Sequence, residues 1–420
     1  MSAIVSRSPR SVLPPLMALH SQKVTFCLGI LRSLHYPALR LLRYPTAASE
    51  KTHTMGSSLS EYLRLKVHPD IADRDWSRIL VRGQHQRDPS LANTSNIEKN
   101  DKTFNWQRPT TSLIDEKTLQ LQCFPGIDYV RHYAAITATY LSLKGRRHDH
   151  VQYTLPSPAE CLEPLMSSNL SKLGPVDVVV VGHVPGLGRW TYGQWEAADS
   201  NELFSWKTFM SRRGYRVAFL GCRISFWGDI AGNLVRTLRT LNGARCVLFV
   251  GKLGGLKSHH APNHWLATGN ESMLQGKMIR WRNPLMDILQ QMPGVAYGVH
   301  YTLGSVLDET REWLLSMEQN LDFVDAEVGH MAKAAQEQEM DFGYLHIVSD
   351  NLARKYIHDL SDERLADVLR GRTELVQIIE HVLGKFFDHW TPQSMSLSSL
   401  NAMWKTRKRI LISEPCRNHK

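Results

Sequence analysis

Hydrophobic positions along this chain fall into short runs separated by polar turns, and the runs alternate between two periods. Residues 176–181 hold five valines in six positions, broken only by Asp177 and closed by Gly182. A β-branched run of that length predicts a strand buried on both faces, as in a parallel sheet. Further strands are predicted over 216–221, 246–250, 295–301 and 344–348. Helical spacing separates them. Ile230, Leu234, Leu238 and Leu241 share one face, and 129–143 carries small and aromatic residues at the same period. Residues 361–369 and 374–390 read as two closing helices. Strands alternating with helices predict an α/β fold, a mostly parallel twisted sheet flanked by helices. Ligands in such sheets sit beyond the carboxyl ends of the strands.

Composition sets the domain limits. Of 420 residues, 42% are hydrophobic and 21% charged, which excludes wholesale disorder and collagen-like repetition. No stretch approaches the ~18 apolar residues of a spanning helix, so no membrane partner is expected. The net charge of +10 belongs to the ends. Residues 1–55 carry seven Lys and Arg against Glu50 alone, and the tail from Lys405 carries six against Glu414. The body is nearly neutral, so the charge gives little support for nucleic-acid binding by the body itself. Four segments follow: a basic N-terminal extension (1–55), a helical and loop extension (56–111), an α/β domain (112–392) and a basic C-terminal tail (393–420). The first reads either as a mitochondrial transit segment or as an over-extended start before Met55; without transit, a cytoplasmic location is expected. Six scattered cysteines form no CxxC pair, and His259, His260 and His264 lack a recognised ligand spacing, so neither metal nor cofactor is expected.

Three constellations sit at strand ends. Gly251-Lys252-Leu253-Gly254-Gly255-Leu256 follows the 246–250 strand. Glycines there let backbone approach a ligand and offer N–H groups to anions, or simply make a tight turn. Val324-Asp325-Ala326-Glu327-Val328-Gly329-His330 offers a carboxylate able to grip vicinal hydroxyls, or else a helix start capped by Asp325. Ser349-Asp350-Asn351 follows the 344–348 strand, where Asp350 can protonate a leaving base or act as a cap.

Taken together over 176–390, the glycine segment, the [DE]xE turn and the Ser-Asp turn resemble the nucleoside phosphorylase/nucleosidase superfamily. The resemblance implies a nucleoside phosphorylase-like domain in which Glu327 holds ribose hydroxyls and Asp350 acts at the purine ring. It implies that Gly251, Lys252, Gly254, Gly255 and Ser349 line the substrate cleft. The chain departs from the pattern where phosphorylases place Arg and Ser or Thr to hold phosphate; those positions read Phe249 and Lys252.

A fourth feature is acidic. Asp308, Glu309 and Glu312 stand at i, i+1 and i+4, so that on a helix Asp308 and Glu312 would share a face; the alternative is a helix start capped by Asp308. Close acids raise one another's pKa and can supply a general base. The stretch resembles the DDxxE motif of the fungal arginine-containing cyclodipeptide synthases, with Glu309 in place of the second Asp. That resemblance implies condensation of arginyl-tRNA with a second aminoacyl-tRNA to a cyclic dipeptide. An aminoacyl-tRNA ends in adenosine, so a nucleoside-shaped cleft would suit it. The leading expectation is therefore a tRNA-dependent cyclodipeptide synthase of fungal secondary metabolism. Its alternatives are a nucleosidase or phosphorylase and a catalytically silent nucleoside- or RNA-binding module.

Overall fold

The central strand Cys246–Gly255 changes one of its neighbours half-way along, and this change organises the molecule. In the computed structural model, which describes residues 42–43, 48–85, 88–93, 109–199, 201–290, 292–358 and 365–391, its first half pairs in parallel with Val178–Gly182. Its other edge pairs in parallel with Asp341–Asn351 along the full length. Beyond Val250 the valine strand leaves, and Phe323–Asp325 takes its place in the antiparallel sense, with Gly254 opposite Val324. The departure has a steric cause. Gly182 sits at φ +100°, and a Cβ there would lie 2.1 Å from the Val250 carbonyl oxygen. That oxygen instead accepts a hydrogen bond from the His183 N–H at 2.6 Å.

The sheet therefore forks. One branch continues through Arg216–Cys222 and Phe204–Met210, and across Asp341–Asn351 to Leu266–Thr268 and Val295–Tyr297. The other runs from Phe323–Asp325 through His300–Thr302 and Glu271–Leu274 to Lys277–Arg280. Both faces of the inner strands of the first branch are buried, which is why Val178–Gly182 and Arg216–Cys222 read as apolar runs. Val179, Val181 and Phe249 pack with Ile230, Leu234 and Leu238 from the helix Asp229–Asn242. Val178, Val180 and Val250 pack with Ile379, Val382 and Phe386 from the helix Ala366–His389. The mixed α/β architecture, sheets flanked by helices, is as the sequence predicts.

Four predicted elements need correction. The 295–301 strand is two strands in different branches, because Gly298 carries the chain across; a Cβ there would lie 2.4 Å from Asp322. The alternation of apolar residues is continuous through the crossing, so the break leaves no mark in the pattern. The two C-terminal helices are one helix from Ala366, with 361–364 outside the described residues. The glycine segment is strand and not loop: Gly254 is flanked so closely that a Cβ would lie 2.7 Å from Leu352 and 3.0 Å from Val324. Ser349 and Asp350 likewise lie inside a strand and cap no helix.

A second sheet precedes the first in sequence. Arg78–Gly83 lies between Thr118–Cys123 and Val151–Thr154, parallel to both. The segment set apart as an extension thus supplies the middle of a sheet with residues after 112. The polar 84–111 stretch hides this because strand pairing is non-local. Part of the first 55 residues is also ordered: Leu42–Arg43 pairs with the Val151–Thr154 strand, and the His53 side chain is fully buried. Residues 392–420 lie outside the described residues, and among the described ones no helix is long and apolar enough to cross a membrane.

Gly182→Ala is expected to cost about 2–4 kcal/mol, because it meets a backbone atom at a positive φ. Denaturant unfolding of the variant, read against a Gly243→Ala control with open space at its Cβ, checks it.

Candidate active site

Asp350 owes its direction to one extra residue. Leu253 is opposite Val348 and Gly254 is opposite Asp350, so Ser349 is a bulge. Bulges re-aim side chains, commonly beside active sites. The Asp350 carboxylate comes within 3.3 Å of where a Cβ on Gly254 would stand. Ser349 Oγ lies 2.8 Å from Asp350 Oδ1 and 3.2 Å from the Leu253 carbonyl, so its single proton serves one or the other.

Glu309 lies close enough to this aspartate to feel its charge, and is 7% exposed. Burial, then the charges of Asp350 and Asp308, push its pKa well above the usual carboxylate range. Burial also raises Asp308. A charged acid in such surroundings is costly, so the protonated form of Glu309 is favoured. The predicted sharing of a helical face does not occur. Ser305 Oγ accepts from the Leu307 N–H and closes a single 3₁₀ turn, Val306–Asp308. Thr310, and not Asp308, caps the helix Arg311–Met317 by accepting from the Trp313 N–H. Asp308 thus precedes the helix, while Glu312 lies exposed in its first turn.

A second acidic group lies beyond the strand on the central strand's other flank. Glu327 begins the helix Val328–Glu337 and is nearly buried. Burial, then Asp325, raise its pKa well above normal, while the Gly228 and Ala326 N–H groups pull against them. Asp325 fixes this turn. Its Oδ1 accepts from the Glu327 N–H at 2.9 Å and the Val328 N–H at 3.0 Å, so it braces the start of the helix although the N-cap position itself falls on Glu327. The same carboxylate lies 3.1 Å from His300 Nε2 and 3.5 Å from His346 Nε2, all three fully or almost fully buried. Burial raises the Asp325 pKa, but His300 and then His346 outweigh it and hold the carboxyl well below the usual range.

The structure therefore assembles the predicted residues in two groups: Glu309 with Asp350, Ser349 and Asp308, and Glu327 with Asp325. Gly254 and Gly255 are strand residues between them. Lys252 and Phe249 stand on opposite faces of the central strand, three residues apart, and so cannot jointly surround an anion. His346 was missed. Its ring packs edge-on against Phe249 at 4.4 Å and lies 3.1 Å from where a Cβ on Gly251 would be. Its signal was a lone histidine inside the apolar run 344–348.

No family model matches the chain. A curated relative, the oxidoreductase cns1 of Cordyceps militaris, is 22% identical over 356 residues, covering 76% of this chain and 41% of the relative. The chain thus spans about two fifths of that protein's length. Among solved structures, the 5′-methylthioadenosine nucleosidase of Arabidopsis thaliana is 13% identical with a TM-score of 0.40, covering 52% of this chain and 98% of that one. The purine nucleoside phosphorylase of Toxoplasma gondii, solved with immucillin-H, is 13% identical with a TM-score of 0.40, covering 52% and 94%.

The raised Glu309 pKa has a stability consequence. Above the unfolded pKa of about 4.3, the unfolded state loses a proton that the folded state keeps, so stability falls as pH rises toward the folded pKa. Glu309→Gln removes that penalty. Its melting temperature is expected to match the parent near pH 4 and to exceed it at pH 7. Paired thermal melts at the two pH values check this.

Proposed function

We propose that the chain cleaves the N-glycosidic bond of a purine-type nucleoside, with the base at Glu309 and Asp350, the ribose at Glu327, and water as acceptor. The observation that carries this reading is the buried Glu309–Asp350 pair beside Gly254. Breaking the C1′–N9 bond sends its electron pair to the base, which must gain a proton, while positive charge develops on the ribose. A carboxyl whose protonated form is favoured by burial and by neighbouring acids suits that donation, and the second carboxyl beside it can pass the proton on. Hydroxyl donors from ribose would favour the ionised form of Glu327, which in turn would favour the sugar cation. Water adds to C1′, and its surplus proton returns to the carboxyl pair.

Phe249 favours water over phosphate. Its buried ring packs on Phe226 at 5.3 Å and on His346, and a phenyl ring itself offers no donor to an inorganic anion. The cyclodipeptide synthase reading relied on Asp308, Glu309 and Glu312 acting together. Glu312 lies exposed in its helix, so that set loses its geometric support.

Incubation with adenosine, inosine and methylthioadenosine, with and without phosphate, tests the proposal. Free base and free ribose are expected without phosphate. Asp350→Asn is expected to lower kcat on the order of 10²–10⁴-fold, and Glu327→Gln to act mainly through KM. Absence of base release from all three nucleosides, or release only with phosphate, would sink it.

A further inference from the structure

We infer that His53 is a positioning residue for Glu309, and that residues 52–55 belong to the active site as a strap over the loop that carries it. The inference rests on the reading of Glu309 as the proton donor to the leaving base. His53 is fully buried although Lys51 and Thr52 beside it are exposed. Its Nε2 lies 2.9 Å from the Val306 carbonyl oxygen, and its Nδ1 accepts the Met55 N–H at 3.1 Å. These two contacts select the neutral ring protonated on Nε2. Burial lowers its pKa and so keeps it in that form.

Around this ring the strap pairs with the acidic loop. His53 bridges Thr310 in the antiparallel sense. The Thr54 N–H donates to the Glu309 carbonyl at 3.0 Å, and the Arg311 N–H donates to the Thr52 carbonyl at 2.8 Å. The backbone at Glu309 is thus gripped on both sides by residues that precede Met55. Within the loop, Thr310 holds its own turn, while Ser305 holds its turn and meets His132 Nδ1 at 2.9 Å, which ties down the start of the loop and leaves Glu309 to the strap. The direction of the Glu309 side chain follows from its backbone, and the strap constrains that backbone. A chain begun at Met55 would lack it.

Hydrogen–deuterium exchange on the full chain, on His53→Ala and on His53→Gln tests the inference without presuming any substrate. In His53→Ala, amides over 305–313 are expected to exchange on the order of tenfold faster, as loss of two hydrogen bonds implies, while 246–255 stays protected. His53→Gln keeps an N–H donor for the Val306 carbonyl and should recover most of the protection. With a nucleoside that the parent cleaves, kcat should fall in His53→Ala more than KM rises, and His53→Gln should restore it. Unchanged exchange over 305–313 in His53→Ala overturns the inference. So does loss of protection over 246–255 in both variants, which would make His53 a residue of the whole fold. Faster exchange in His53→Ala from a parent that releases no base would uphold the strap and defeat the proton-donor reading instead.

Discussion

The Val250 carbonyl is the point on which the architecture turns. It accepts the His183 N–H and excludes any side chain at position 182. The valine strand therefore ends there, and the central strand is free to take Phe323–Asp325 as its next neighbour. Without that exchange the second branch would have no attachment, and the two acidic groups would not flank one glycine segment. The fold's polarity follows as well. Both groups lie toward the carboxyl end of the central strand, where an open α/β sheet leaves room for a ligand.

The carboxylates differ in what burial does to them. Asp325 is surrounded by two backbone N–H groups and two imidazoles, which hold it ionised despite its depth. Glu309 meets mainly other acids, so the same depth favours its protonated form. Glu327 lies between these cases, desolvated and beside a charge of its own sign, yet touched by two N–H groups. Three acids of similar intrinsic strength are thus sorted by their neighbours. That is the usual route by which one site holds both a proton donor and a charge stabiliser.

The α/β class and the main strands were legible because the inner strands of the first branch are buried on both faces, and a buried parallel strand announces itself in a valine run. Gly298 and Gly254 were not legible in their true roles. A glycine required by crowding looks the same in a sequence as one required by a turn. The acids at 327 and 350 could be found from their position after strands, and Glu309 from its place in an acidic cluster. Their grouping could not, since it depends on a bulge at Ser349 and on a cap that falls on Thr310 two residues later than expected. His53 gave no signal at all. A histidine in a basic, acid-poor leader is unremarkable until the loop it holds is seen in space.

The bulge carries a consequence of its own. Along a regular strand every second residue looks the same way, and His346 and Val348 look toward the interior shared with Phe249. Counting on by two would send residue 350 there also. The surplus residue resets the count, so Asp350 turns toward Gly254. The catalytic bearing of this side chain is therefore a matter of parity. Drawing Ser349 into the regular ladder, with no change of sequence, would leave every functional group in the chain intact and turn the acid to the wrong side of the sheet.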